Sequence, residues 1–382
     1  YQTGSDKSQD TGDERTKEDC FKRIGILTFH CAHNYGAMLQ CYALQEYLKG
    51  RGDEVYVIDY RPDYLTHPYK KHKLSHWLSK DPLRTLKRLL SEPFLLKKRG
   101  KRWDGFDNFM RMKLNLYPYD MSSDYSNFDW LLFGSDQIWS SRLTGGRFDP
   151  VFFGQGVNCR KATYAASMSP ICLDAAEKKV LPSLLRDFNA ISVREAELAK
   201  TLHPFTGKEV HVVCDPVLLL RKKEWEKRCV PISTKRPYVL CYNLLQSEKC
   251  AEQARKVSRE LGYELINITA CLLPFKSGRR YLQTLDPISF ISYFKEAAFV
   301  VTSSFHGTVF SVVFQKPFYV VGMGSLGGRS ASLLAKLNLS DRILGEVTDF
   351  LDGKIDYERV EFLLENYRME SVDYLKFDEH ND

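Results

Sequence analysis

Residues 300–322, VVTSSFHGTVFSVVFQKPFYVVG, read as strand, polar turn, helix and strand. The apolar run stops at Thr302-Ser303-Ser304, helical spacing follows, and Lys316-Pro317 ends it before a second apolar run. A chain built from such units has one main option, a parallel sheet covered by helices. The pattern extends over most of the sequence. Strands are expected at 24–29, 54–60, 129–134, 161–168, 190–193 and 210–214, with helices at 36–50, 174–188 and 194–202. Near residue 221 the texture turns polar (RKKEWEKR) and a second alternation begins. Its strands are expected at 238–243, 263–268, 298–304 and 317–321, and its helices at 247–261, 286–296, 306–315 and 329–337. A last helix is expected from Tyr357 onward. The fold class is therefore α/β, with two Rossmann-like domains facing a cleft, at 22–220 and 221–382. Residues 1–21 read as a disordered tail.

Composition sets limits on function. Hydrophobic residues make up 43% of the 382, enough for two cores, and no run of about 18 apolar residues spans a membrane. The polar opening has no secretory signal. None of the ten cysteines forms a C-x-x-C pair. They read as reduced, buried thiols of a cytoplasmic protein, and no metal site is expected.

The net charge of +7 is local. Residues 70–102 hold twelve Lys/Arg against Asp81 and Glu92, a net +10, which leaves −3 for the rest. Within a helical insertion at 64–116, this stretch carries Leu74, Trp77, Leu78, Leu83, Leu86, Leu89, Leu90, Phe94, Leu95 and Leu96 at helical spacing. Pro82 and Pro93 are expected to split it into short helices. Basic amphipathic helices of this kind suit peripheral contact with an anionic membrane, while a basic, solvated cap on the first domain is the plainer alternative. Nucleic acid is not expected, because no regular aromatic platform interleaves the charges.

In parallel α/β sheets, ligands sit at the carboxyl ends of strands. Four such ends carry candidate residues. After the first strand come His33, Asn34, Tyr35 and Gly36, a turn able to present N–H groups to an anion. After the strand at 129–134 come Gly134, Ser135, Asp136 and Gln137. Arg194 follows the strand at 190–193; a cation at a helix start opposes the macrodipole and calls for an anionic partner. Asp215-Pro216 is a comparable acid that turn duty explains nearly as well. His306, among Ser303, Ser304, Gly307 and Thr308, is the candidate proton carrier, and Arg329 adds charge at the next strand end. No dinucleotide fingerprint, P-loop, zinc-protease motif or nucleophile elbow is present.

The ordered set N-Y-G-A-x-L-Q-x-Y-A-L, G-S-D-Q-I-W, S-V-R-E, C-D-P-V-L-L and S-S-F-H-G-T resembles the polysaccharide pyruvyl transferase family, in a divergent subgroup with Ala37 where an Asp is usual. The resemblance implies a GT-B-like architecture. It implies transfer of a pyruvyl group from phosphoenolpyruvate, as co-substrate and without a cofactor, onto two hydroxyls of a sugar. The product is a cyclic ketal on a cell-surface polysaccharide or its lipid-linked precursor. It further implies His306 as the family's histidine and Arg194 as its phosphate-binding arginine; Asp136 is then the base for the acceptor hydroxyl. A glycosyltransferase with a nucleotide-sugar donor and a non-catalytic sugar-phosphate binder are the alternatives.

Overall fold

The computed structural model describes residues 21–69, 82–234, 236–244, 246–322, 327–344 and 354–376, with only the backbone described for 82–90. The expected tail and residues 70–81, including Leu74, Trp77 and Leu78, lie outside these.

In chain order the first half runs β1 (Arg23–Leu27), α1 (Tyr35–Gly50), β2 (Glu54–Asp59), α2 (Asp63–Thr66), α3 (Pro82–Lys113), β3 (Leu116–Pro118), β4 (Trp130–Phe133), β5 (Arg160–Thr163), α4 (Ala175–Leu185), β6 (Ile191–Val193), α5 (Ala196–Thr206) and β7 (Val210–Val212). The second runs α6 (Lys222–Arg228), β8 (Tyr238–Asn243), α7 (Glu248–Leu261), β9 (Glu264–Thr269), β10 (Tyr281–Leu282), α8 (Pro287–Glu296), β11 (Phe299–Thr302), α9 (Phe305–Val313), β12 (Phe318–Val321), α10 (Gly328–Lys336), β13 (Ile343–Leu344) and α11 (Tyr357–Tyr374).

All strand pairings among the described residues are parallel. The first sheet has the order β3-β2-β1-β4-β5, and isolated bridges carry it on to the β6-β7 pair. The second has the order β10-β9-β8-β11-β12-β13. Both are Rossmann-like, so each has a switch point, at β1/β4 and at β8/β11. Strands buried on both faces read as unbroken apolar runs, and WLLF of β4 and FVVT of β11 are buried throughout. The edge strands β3, β10 and β13 are two or three residues long and gave no sequence signal.

The helix α1 is buried on nearly every side because it packs between the halves. Its Tyr35 ring stacks on Phe290 of α8 at 4.2 Å, and one apolar cluster runs from Ile24 to Leu375 through both sheets. The polar stretch at 221–228 is likewise no loose linker. It folds as α6, with Trp225 buried against Phe310 and Arg228 bonded to Tyr42 and Glu46 of α1.

The basic segment departs from expectation. From Pro82 it is one continuous helix, and Pro93 does not split it. Its C-terminal half is clamped to both halves of the protein, which offsets a proline penalty of roughly 3 kcal/mol. Lys98 Nζ donates to the carbonyls of Leu273, Pro274 and Lys276. Arg102 donates to the carbonyls of Ala270 and His33. Phe106 and Phe109 are buried.

The terminal helix, expected with the second half, bonds to both: Tyr357 Oη donates to the Lys316 carbonyl and Lys336 to Glu370, while its later turns reach the first half. Tyr367 Oη donates to the Val213 carbonyl (3.0 Å), Arg368 Nε to Leu218 (2.6 Å) and Tyr374 Oη to Thr163 (2.7 Å). Ser371 Oγ accepts from the Cys214 N–H at 2.8 Å. Arg368 also pairs with Glu361 and Glu365.

His33 was expected to bind substrate. Instead its ring lies among Tyr69, Trp103 and Phe106, at centroid distances of 5.2, 4.6 and 5.0 Å. Burial, then the charges of Arg102 and Arg61, lower its pKa from 6.5 to about 4.

Two outcomes follow from these contacts. Arg368→Ala leaves the buried Leu218 carbonyl without its donor and removes pairs to two partly exposed carboxylates, so denaturant unfolding should show a loss of about 2 kcal/mol. Between pH 6.5 and about 4 the unfolded chain takes up a proton at His33 that the folded chain refuses. Stability therefore falls as pH drops through that window, by at most ~3 kcal/mol from this group. His33→Phe keeps the aromatic stack and should flatten that part of the stability–pH curve; an unchanged slope would contradict the assignment.

Candidate active site

The two switch points face each other across a cavity of ≈ 300 Å³. Each strand flanking them contributes to its wall at the carboxyl end. Asn34 follows β1, Asp136 and Gln137 follow β4, Leu244 follows β8, and Ser304, Phe305 and His306 follow β11. Arg329, on the first turn of α10, joins them, and Phe29, Tyr64 and Tyr69 form an aromatic wall.

Local structure sets each side chain. Asn34 caps α1, its Oδ1 accepting from the N–H groups of Gly36 (2.9 Å) and Ala37 (3.3 Å). Ser304 caps α9 through the Gly307 N–H. That places His306 on the first turn of α9, over α1 of the other half. A Cβ on Gly36 would lie 2.0 Å from His306 Nδ1, so glycine is required there by the close approach of the ring. Gly307 serves a different contact: a Cβ would lie 2.1 Å from Thr302 Oγ1, so its absence lets α9 sit on the end of β11.

The other ring nitrogen, Nε2, is buried and lies 3.4 Å from Asp215 Oδ2. Asp215 follows β7, and its side chain is 0% exposed. The same Oδ2 accepts from Arg194 Nη1 at 2.6 Å, while Oδ1 accepts from the Val217 N–H at 3.0 Å. Burial would raise the pKa of Asp215, but His306 and Arg194 pull it well below the usual carboxylate range. Arg194 Nε also meets Glu195 Oε1 at 3.2 Å. Glu195 is held by Ser167 as well, and burial, partly opposed by Arg194, raises its pKa.

Arg194 therefore differs from the unpaired cation expected at a helix start. Arg194 and Glu195 are not yet helical, since α5 begins at Ala196. The guanidinium is buried between the chain's own two carboxylates and does not line the cavity. The guanidinium that does line it belongs to Arg329. The Phe305 ring separates the two, 4.5 Å from Arg194 Cζ and 5.6 Å from Arg329 Cζ. Arg329 has no carboxylate within ion-pair distance among the described residues. Burial and the nearby Arg194 charge lower its pKa. In the amide orientation that satisfies both ends, Gln137 accepts from Arg329 Nη1 (3.3 Å) and donates to the Ser169 carbonyl (3.1 Å).

Of the other expected residues, Asp136 lines the cavity and uses Oδ1 on the Gln137 N–H at 2.9 Å. Several turn away from it. Tyr35 donates to the Leu285 carbonyl inside the interface between the halves. Ser135 is fully buried, and its carbonyl accepts from Thr28. Gly134, at φ +117°, lets the chain pass the Tyr164 carbonyl, 2.5 Å from where a Cβ would stand. Ser303 donates to Asn243, and Thr308 to the Ser304 carbonyl. His33 is packed as described above. Sequence reasoning underrated Asp215, whose signal was C-D-P-V, and missed Tyr64 and Tyr69. Tyr64 donates to Asp149, which also accepts from Tyr60 at 2.7 Å.

No curated protein sequence matches the chain. Among solved structures it is similar to S. aureus MnaA in its UDP co-structure (13% identity, TM-score 0.46, 92% of this chain and 91% of that one). It is also similar to the UDP-GlcNAc 2-epimerase of Neisseria meningitidis bound to UDP-GlcNAc (9%, 0.40, 91% and 93%). A third such structure is the glycotransferase of kitacinnamycin (11%, 0.44, 94% and 98%). The family model for polysaccharide pyruvyl transferase matches residues 34–325, from the Asn34 cap through His306 to the edge of α10, and the chain belongs to that family of transferases.

Proposed function

We propose that this enzyme moves a pyruvyl group from phosphoenolpyruvate onto two hydroxyls of one sugar, in a cell-surface polysaccharide or its lipid-linked precursor, and so closes a cyclic ketal. The observation that carries this reading is the pairing, on one cavity wall, of an imidazole backed by a buried carboxylate with a guanidinium that no carboxylate neutralises among the described residues. The chemistry needs a proton at the methylene carbon of the enol phosphate and a fixed anion site beside it.

His306 supplies the proton to that carbon. Asp215, 3.4 Å from Nε2, gives the protonated ring a counter-charge. The first sugar hydroxyl adds to the cationic C2 and loses its proton to Asp136. The C2–O bond to phosphate breaks, inorganic phosphate leaves, and the second hydroxyl adds at C2, its proton passing to His306 and restoring the acid. Arg329 holds the donor's phosphate or carboxylate by charge-assisted hydrogen bonds. Arg194, assigned that role by resemblance, acts instead as a positioning residue on Asp215. The aromatic wall of Tyr64, Tyr69 and Phe29 receives the apolar face of the acceptor sugar. With a lipid-linked acceptor, the enzyme works at the inner face of the membrane.

Incubation with phosphoenolpyruvate and a mixed glycan pool should release inorganic phosphate and add a pyruvyl mass to a glycan. Release of a nucleotide from a sugar nucleotide instead would replace this reading with a glycosyltransferase. His306→Ala should lower kcat by a factor on the order of 10²–10⁴ in a folded protein. Gly36→Ala is the sharper test of geometry. Alanine favours the helix by up to ~1 kcal/mol, yet its Cβ must displace the imidazole. Turnover should drop roughly tenfold or more with an unchanged circular dichroism spectrum. Arg329→Ala should raise the KM for phosphoenolpyruvate by roughly 10–100-fold, with Arg329→Lys recovering part of the loss. An unchanged KM would remove Arg329 from the donor site.

A further inference from the structure

We propose that the aromatic pair Phe94–Phe275, with the basic residues around it, is the element by which this enzyme docks on an anionic membrane surface. Phe94 lies on α3 of the first half, and Phe275 in the loop between β9 and β10 of the second. Both rings are largely in solvent, 56% and 73% exposed, yet they meet edge to face at 5.8 Å. Two phenylalanines exposed this far and touching form a contiguous apolar patch at the surface.

The pair is built rather than incidental. Lys98, one turn along α3, donates to the carbonyls of Leu273, Pro274 and Lys276, on both sides of Phe275. Arg99 pairs with Glu92, which neutralises the one acid in this part of the helix. Lys97 and Lys101, three and seven residues after Phe94, share its face and are exposed. Lys276 and Arg280 are exposed on the loop side. Apolar rings ringed by cations are the pattern of an interfacial anchor. The rings enter the headgroup boundary, and each cation near an acidic surface adds roughly 1 kcal/mol. A protein partner would meet cations on both the helix and the loop side, so charge complementarity favours the acidic lipid surface.

Its place in the fold gives the contact a use. Phe94 is nine residues, about 14 Å, along the helix from Trp103. Trp103 packs on His33, and His33 on Tyr69 of the cavity wall. A membrane bound at the pair lies close to the cavity, where a lipid-linked sugar could enter. The benefit rests on the lipid-linked acceptor of the proposed function; the contact itself does not.

Flotation of the full chain with vesicles tests it without any substrate. The protein should float with phosphatidylcholine vesicles containing one-third phosphatidylglycerol at low salt, and not with phosphatidylcholine alone. The double variant Phe94→Ser/Phe275→Ser and the double variant Lys97→Glu/Lys101→Glu should each bind acidic vesicles weaker by on the order of tenfold, at unchanged Tm. In Phe275→Trp the added indole fluorescence should be quenched by lipids brominated in the acyl chain. A wild type that stays down with acidic vesicles overturns the proposal. So does a serine double variant that floats as well as wild type, or an indole signal in Phe275→Trp that brominated lipid leaves untouched. Failure of pyruvyl transfer with retained flotation would sink the proposed chemistry and leave the docking surface standing.

Discussion

The structure turns on the carboxylate of Asp215. It is wholly buried, and a buried charge is tolerable only when paired and hydrogen-bonded. Its partners come from both directions: Arg194 from the end of β6 in its own half, and His306 from α9 in the other. Removing any one of the three leaves a charge or a polar ring stranded in an apolar setting. The arrangement therefore does more than orient an imidazole. It fixes where α9 sits over α1, and with it the alignment of the two switch points. The cavity exists because those strand ends are held face to face.

The two guanidiniums near Phe305 show how context divides similar residues. Arg194 spends its charge on Asp215 and Glu195. Arg329 meets an amide, Gln137, and faces open space. A positive charge with no carboxylate at ion-pair distance among the described residues is free to act on a ligand. A sequence motif cannot distinguish these states, because the difference lies in which carboxylates surround the side chain.

Much of the fold was legible for a simple reason. Strands of a parallel sheet covered on both sides are apolar runs without alternation, and β4 and β11 announced themselves in that way. Helix starts were legible where a side chain caps them, as at Asn34, Ser304 and Asp286. Edge strands of two or three residues carry no period to detect. The path of α3 was misread because Pro93 counts locally, while the bonds from Lys98 and Arg102 that outweigh it reach backbone 175 and 168 residues away. At the site, strand ends were found but side-chain directions were not. His33 and Tyr35 flank Asn34, yet a step of one residue turns each into the aromatic interior.

The course of α11 has a mechanical consequence. The chain passes from first half to second once, through α6, and returns once, to bond Thr163, Val213 and Leu218. A body joined to its neighbour at one point can swivel freely; joined at two, it can only rotate about the line through them. Any opening of the cleft for sugar entry must turn about those two crossings and also break the bonds of Lys98 and Arg102 and the Asp215–His306 contact, which reach across it.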